Sequence, residues 1–115
     1  MIGSAPGSGG NGILGDNFAS ISNIGPETYS NNSIVSFAYG INTPYSGSVT
    51  MKGNAFVNDI YAIWLHSCTG WTLSSNTINY ATAGFAEAPS GFTPTASQVS
   101  FYNVGQFMAT TFSCP

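Results

Sequence analysis

Four acidic residues, Asp16, Glu27, Asp59 and Glu87, are the side chains of this chain that could perform acid–base chemistry. Hydrolysis of a glycosidic bond requires two carboxyl groups flanking the scissile bond, one of them acting as the acid. The four acids are spread along the sequence, so a pair forms only if the fold brings two of them together. The arrangement of the chain therefore decides whether they can be catalytic.

A histidine and a cysteine, His66 and Cys68, lie close together in the segment LHSCTG. A zinc site takes three or four protein ligands, and this segment supplies two. A cysteine nucleophile would also need an oxyanion hole and a cleft, which nothing else in the sequence indicates. We therefore expect a loop histidine beside a small buried cysteine, and neither a metal nor another cofactor.

Charged residues make up only 4% of the 115 residues, and the net charge is −3; about a quarter of the residues are charged in ordinary domains. The only Lys or Arg, Lys52, cannot neutralise a phosphate backbone, which excludes nucleic-acid binding. No apolar run is long enough to cross a bilayer, so we expect no membrane insertion. The apolar content of 43% argues against disorder and predicts one folded domain.

Short β-rich segments recur along the middle of the chain with a fixed period of about 22 residues. The stretch from Tyr39 to Val57 aligns with the stretch from Tyr61 to Asn79, so that apolar residues match apolar ones and Thr and Asn match themselves. Such a period is typical of a solenoid, in which each turn lays short parallel strands on those of the turn before. The sequence predicts an all-β fold, a short parallel β-helix with about 22 residues per turn.

The repeat divides most of the chain into turns. Clear turns run over residues 27–48, 49–70 and 71–92. A fourth turn begins near Val99, about six residues late, because we interpret the proline-containing loop 87–98 as an insertion. Before the first clear turn, the residues fit the repeat poorly and are expected to form an irregular turn.

Equivalent positions of the repeat are expected to stack in columns about 4.8 Å apart. The columns expected to fill the core are Tyr29, Met51 and Leu73, then Ile34, Phe56 and Ile78, then Ile41, Ile63 and Phe85. A further column contains Asn32, Asn54 and Asn76. It predicts a structural ladder of side-chain amides at a bend.

The same columns separate the acidic residues. The register places Glu27 with Val49 and Trp71, Asp59 with Phe37 and Ala81, and Glu87 with Leu65. Asp16 lies in the irregular first turn, where it could approach Glu27. We therefore expect scattered, solvated acids and no catalytic residue, with a carboxylate pair assembled across subunits as the open alternative.

Four aromatic residues, Trp64, Trp71, Tyr45 and Tyr80, lie at positions that alternate away from the core columns. Exposed rings of this kind either stack on sugars or fill a subunit interface, where aromatics are enriched and charges depleted. With so few charges, an interface explains more of the composition. Val35 and Val57 also fall outside the inward columns, and a homotrimer would cover such a patch.

Three segments, VTMKGNAF, VNDIYAIWLHSCTG and WTLSSNTI, resemble the repeat of right-handed parallel β-helix proteins of the pectate-lyase-like class. The shared pattern is a hydrophobic strand, an Asn–x–apolar bend and a short strand of the type YGIxL. The class includes polysaccharide lyases and hydrolases, epimerases, adhesins, and the tailspikes and fibres of bacteriophages. The resemblance therefore implies the fold and not an activity.

The termini and cysteines bear on where the protein works. Residues 1–12 are expected to form a flexible Gly- and Ser-rich arm, and residues 13–115 the β-helix domain. The N-terminus has no signal-peptide pattern, so the sequence is either a processed or recombinant piece or a protein made in a host cytoplasm and released by lysis; we expect the second, as for a virion protein. Cytoplasmic assembly would leave Cys68 and Cys114 reduced, although one bridge between them stays open.

These inferences together predict a non-enzymatic structural or receptor-contacting protein of a virion surface. It would be a tailspike or fibre segment, or a capsid decoration protein. The expected partners are further copies in a homotrimer, other virion proteins and, as an open alternative, a host surface glycan. A polysaccharide-degrading enzyme fragment and an adhesive or extracellular filament subunit are the competing interpretations.

Overall fold

A parallel β-solenoid of about four turns is formed by the residues that the computed structural model describes, namely 10–14, 27–43, 49–65, 68 and 70–114. The all-β class and the spacing of about 22 residues per turn are confirmed. In this described part of the chain, no helix is long and apolar enough to cross a membrane.

Two sheets of parallel strands form the walls of the solenoid in the described residues. The strands are β1 Asn11–Leu14, β2 Glu27–Ser30, β3 Ser33–Val35, β4 Tyr39–Thr43, β5 Val49–Lys52, β6 Ala55–Val57, β7 Tyr61–Leu65, β8 Trp71–Ser74, β9 Asn76–Pro89 and β10 Val99–Phe112. The larger sheet has the order β1-β4-β7-β9-β6-β3, with β10 on the other edge of β9, and the smaller has the order β2-β5-β8. Each of the long strands β9 and β10 occupies the positions along the turn that two separate short strands occupy in earlier turns.

The pairing register follows the predicted period through the second and third clear turns. Thr50 of β5 pairs with Thr28 on one side and Thr72 on the other, and Phe56 of β6 pairs with Ile34 and Ile78. At the N-terminal end, the offset lengthens, because Ile13 of β1 pairs with Ile41. This longer first turn agrees with the irregular turn that the sequence predicts, although residues 15–26 lie outside the described part.

The prediction that the fourth turn starts about six residues late is wrong. Val99 pairs with Asn76, and Phe101 pairs with Ile78, so this turn is longer than its predecessors by a single residue. Residues 90–98 are not an insertion into a regular turn. They connect β9 to β10 in the part of the turn where earlier turns have a strand of the smaller sheet, and they form no such strand.

Two corners of each turn are made by residues with left-handed backbone. One corner contains Asn31, Gly53 and Ser75, and the other contains Ser36, Asn58, Tyr80 and Asn103, all with φ between 54° and 68°. Glycine and asparagine adopt this conformation most easily, whereas it is rare for a bulky residue such as Tyr80. The backbone is therefore bent at the same two places in successive turns.

The interior is filled by the predicted apolar columns and fixed by the asparagine ladder. Nδ2 of Asn32 donates to Oδ1 of Asn54, and Nδ2 of Asn54 donates to Oδ1 of Asn76, both at 3.0 Å. Each acceptor oxygen also receives the backbone N–H of the asparagine one turn earlier, at 3.1 Å. Because a buried amide without partners costs about 1–3 kcal/mol, a register slip would break several of these bonds together.

A disulfide bond joins Cys68 to Cys114, with 5.8 Å between the Cα atoms. The expectation that cytoplasmic assembly leaves both cysteines reduced is therefore wrong for this structure. The bond fastens the residue just beyond β10 to the loop between β7 and β8, 46 residues earlier in the chain. It holds the C-terminal end of the last turn onto the body of the solenoid.

Candidate functional site

The acidic residues of the described part lie in separate places. Glu27 is on β2 of the smaller sheet and accepts a hydrogen bond from the Tyr29 hydroxyl. Glu87 is on β9 and pairs with Trp64, not with Leu65 as the register predicted, because a bulge between Ile63 and Trp64 shifts the strand by one residue. Asp16 lies outside the described residues.

The third acid, Asp59, is buried rather than solvated, which corrects the prediction from the sequence. Its side chain is 3% exposed and lies in the loop between β6 and β7. Oδ1 accepts the backbone N–H of Phe37 at 2.8 Å, as the predicted column requires, while Oδ2 is buried and has no hydrogen-bond partner among the described residues. Burial raises the pKa of the Asp59 carboxyl to about 7, and the bond from Phe37 opposes that rise.

An open groove of about 410 Å³ lies at the corner beside Asp59. Its walls include Asn58, Tyr80, Thr82 and Asn103, so three of its residues have left-handed backbone. The Tyr80 side chain is 57% exposed. We call this feature the corner groove; it offers an aromatic ring beside several hydroxyl and amide groups.

A second feature is the end of the solenoid formed by the last turn. In the described structure, β10 pairs only with β9, so its other edge presents backbone N–H and C=O groups that no described strand pairs. A mostly apolar groove of about 380 Å³ lies beside this edge, between the segment 93–96 and the side chains of Phe101, Tyr102 and Phe107. We call the edge and this groove the C-terminal end face.

Aromatic side chains at the C-terminal end face remain largely uncovered. Tyr102 is 54% exposed and Phe107 is 58% exposed. The Phe107 ring stacks on Phe101 at a centroid distance of 4.7 Å, and Phe101 continues the core column of Ile78. The rings therefore extend the interior of the solenoid to its open end.

The four aromatic residues that the sequence proposed for an interface or for sugar stacking lie in different surroundings. Trp64 is half-buried and stacks with Tyr39 at 4.7 Å, and Trp71 packs edge-to-face against Phe92 at 4.8 Å. Tyr80 is exposed in the corner groove, while Tyr45 lies outside the described residues. Both tryptophans are thus engaged by rings of their own chain.

The other residues considered for chemistry stay apart. Cys68 is bonded to Cys114, and His66 lies outside the described residues. Within the part of the chain that the structure describes, no group of three or more His, Cys, Asp or Glu side chains is placed to hold a metal ion. Val35 and Val57 are half-buried on the stacked strands β3 and β6.

Sequence reasoning missed Tyr102 and Phe107, the two exposed aromatics of the last turn. They were missed because a fourth turn that starts about six residues late aligns neither side chain with a position of the earlier turns. A turn longer by one residue would have matched Phe101 to the core column of Ile78 and left Tyr102 facing outwards. Asn103 is the signal that could have revealed this register, since asparagine favours left-handed corners.

Comparison with models of protein families, with curated proteins and with solved structures finds no match for this chain. The function is therefore inferred from the geometry described above.

Proposed function

We propose that this protein is a non-enzymatic structural subunit of a virion surface that assembles with copies of itself into a homotrimer. The observation that carries the proposal is the C-terminal end face, where a strand edge that no described strand pairs lies beside exposed aromatic rings. The sequence from Ala88 to Pro115 contains no charged residue. Apolar surface without charge is typical of the core of a subunit interface.

The construction of the solenoid supports a mechanical role. The asparagine ladder and the core columns join successive turns through buried contacts, and the disulfide fastens the last turn. Disulfides persist in oxidising surroundings outside the cytoplasm. The Cys68–Cys114 bond thus favours surroundings outside the cytoplasm, which a released particle shares with an extracellular filament. On the particle, the chain would be a tailspike, fibre or decoration subunit in contact with other virion proteins.

Enzymatic cleavage of polysaccharides is the competing function, and substitution of the acidic residues provides a test of it. The protein is incubated with a broad panel of neutral and acidic glycans, and release of reducing ends and of unsaturated products is measured. We expect no turnover, because the described acids occupy separate places, and the residues that line the corner groove with Asp59 include no second acid. Turnover that Asp59→Asn or Glu27→Gln abolishes would replace the structural proposal with an enzymatic one.

Contact with a host glycan is a second candidate, and the corner groove favours it. Tyr80 presents a ring on which the C–H groups of a sugar could stack, and Asn58, Thr82 and Asn103 offer hydrogen bonds around it. A glycan array tests this function. Binding that Tyr80→Ala removes and Tyr102→Ala retains would support it, and the absence of binding to any glycan would reject it.

A further inference from the structure

The corner groove contains one acidic side chain whose charge no described residue balances. Asp59 lines the groove but is only 3% exposed, and its Oδ2 has no hydrogen-bond partner among the described residues. None of the described residues that line the groove is Lys, Arg or His, and Lys52 lies on β5 of the smaller sheet. Because a buried carboxylate without a partner is costly, a cationic group that pairs with it is favoured.

A single carboxylate selects a ligand group with a single positive charge. A calcium ion takes six to eight oxygen ligands and carries two charges, whereas Asp59 is the only acid among the described residues that line the groove. A neutral hydroxyl group can donate to Oδ2 but leaves the negative charge in place. An ammonium group supplies one positive charge and three N–H donors, so it matches this carboxylate best.

The size and the walls of the groove indicate what molecule carries that group. Its volume of about 410 Å³ lies within the roughly 300–1,000 Å³ of small-molecule sites. The Tyr80 ring is 57% exposed and offers a face on which the C–H groups of a sugar stack. Asn58, Thr82 and Asn103 surround it with partners for sugar hydroxyls, which a lysine side chain would leave unused.

Backbone and side-chain hydrogen bonds hold the walls of the groove in place. The N–H of Asn58 donates to the carbonyl oxygen of Asn79 at 3.1 Å, and Nδ2 of Asn103 donates to Oδ1 of Asn79 at 3.2 Å. Residues from three successive turns are thereby fixed at one corner. A site that is already formed loses less conformational entropy when a ligand binds.

We propose that the corner groove binds a sugar with a free primary amino group, which pairs as ammonium with the Asp59 carboxylate while the sugar ring stacks on Tyr80. This inference rests on the glycan contact given above as the second candidate function, and it names the class of glycan. The low exposure of Asp59 sharpens the selection. An ammonium group is compact, whereas an N-acetyl group is bulkier and uncharged and should be rejected.

The test compares three oligosaccharides of equal length, namely tetramers of glucosamine, of N-acetylglucosamine and of glucose. Calorimetry at pH 7, on the full chain with its disulfide intact, measures the dissociation constant of each. We expect the wild type to bind the glucosamine tetramer about tenfold more tightly than the other two, because only this ligand gains a charge-assisted hydrogen bond.

Two variants of equal net charge separate the groove from general attraction to an acidic protein. Asp59→Asn and Glu27→Gln each remove one negative charge, but Glu27 lies on β2 of the smaller sheet. We expect Asp59→Asn to bind the three tetramers almost equally and Glu27→Gln to keep the wild-type preference. Tyr80→Ala should weaken the binding of all three, because each of them stacks on the ring.

Nuclear magnetic resonance of the wild type provides a readout that needs no variant. The glucosamine tetramer should shift the amide signals of residues 58–60, 80–82 and 103 and leave those of β5 unchanged. Equal affinity for the three tetramers, a preference that Asp59→Asn retains, or shifts confined to other residues would overturn this inference alone. A wild type that binds no glycan at all would overturn the glycan contact together with it.

Discussion

Single residues determine how tightly successive turns are held in register. Phe56 is fully buried and stacks between Ile34 below and Ile78 above, so its ring contacts three turns of the core. Asn54 lies just before β6 in the same turn and makes hydrogen bonds to the turns on both sides. A change at either position therefore affects more than its own turn.

Phe56→Ala should lower the free energy of unfolding by about 3–5 kcal/mol, because it leaves a cavity in the middle of the core. The matched control is Thr77→Ala, at an exposed position next to the core residue Ile78, which should change stability by less than about 0.5 kcal/mol. Urea denaturation measures both variants. Equal midpoints for Phe56→Ala and the wild type would show that the ring is not in the core.

Asp59 makes the stability of the fold depend on pH. The folded pKa of about 7 lies above the ordinary value of 3.8, so the folded protein holds a proton that the unfolded chain releases between these values. Stability should therefore be greatest in mild acid and be lost as pH rises through 7, by up to about 1.4 kcal/mol for each pKa unit of difference. Thermal unfolding from pH 4 to pH 8 measures the effect.

Asp59→Asn is the variant that isolates this carboxyl. Its amide oxygen can still accept the N–H of Phe37, and the amide carries no charge for burial to penalise. We expect the variant to be more stable than the wild type at pH 8 and to lose most of the pH dependence. A wild type whose melting temperature rises from pH 5 to pH 8, with Asp59→Asn behaving alike, would contradict this assignment.

At the scale of the elements, a regular period made most strands predictable from sequence. The columns Ile34–Phe56–Ile78 and Asn32–Asn54–Asn76 follow directly from identical spacing, because parallel stacking puts equivalent side chains above one another. The last turn was less predictable, since residues 90–98 replace a strand and thereby remove the pattern on which the alignment depends.

The candidate sites were less predictable than the strands for a related reason. The bulge at Ile63 and Trp64 moves Glu87 by one position, and no local feature of the sequence marks it. The burial of Asp59 depends on the turns packed above and below the loop, which a column assignment does not reveal. Side-chain surroundings therefore required the three-dimensional structure, whereas the register of the regular turns did not.

The disulfide should stabilise the last turn in particular. Removing a bridge that closes 46 residues is expected to cost about 2–4 kcal/mol. Cys114→Ser and reduction of the wild type should lower the melting temperature to the same extent, and a reductant should have no effect on the variant. A wild type that melts identically with and without reductant would show that the cysteines are not joined in solution.

At the scale of the whole molecule, composition predicts contact between copies, and the structure leaves different aromatic rings exposed from those that the composition suggested. With five charged side chains and a net charge of −3, repulsion between copies is weak. The largest exposed apolar side chains of the described residues, Tyr80, Tyr102 and Phe107, all lie on the long strands β9 and β10. The tryptophans that the composition suggested for an interface contact other rings within the chain.

The central claim is that copies of this chain assemble through apolar, uncharged surface, and the mass of the wild-type protein across a salt series tests it most directly. Light scattering or native mass spectrometry should show a homotrimer at micromolar concentration. Its mass should stay constant as salt rises from low to molar concentration, because screening does not weaken an interface without ions. A stable 11.9 kDa monomer, or a trimer that dissociates as salt rises, would contradict the account.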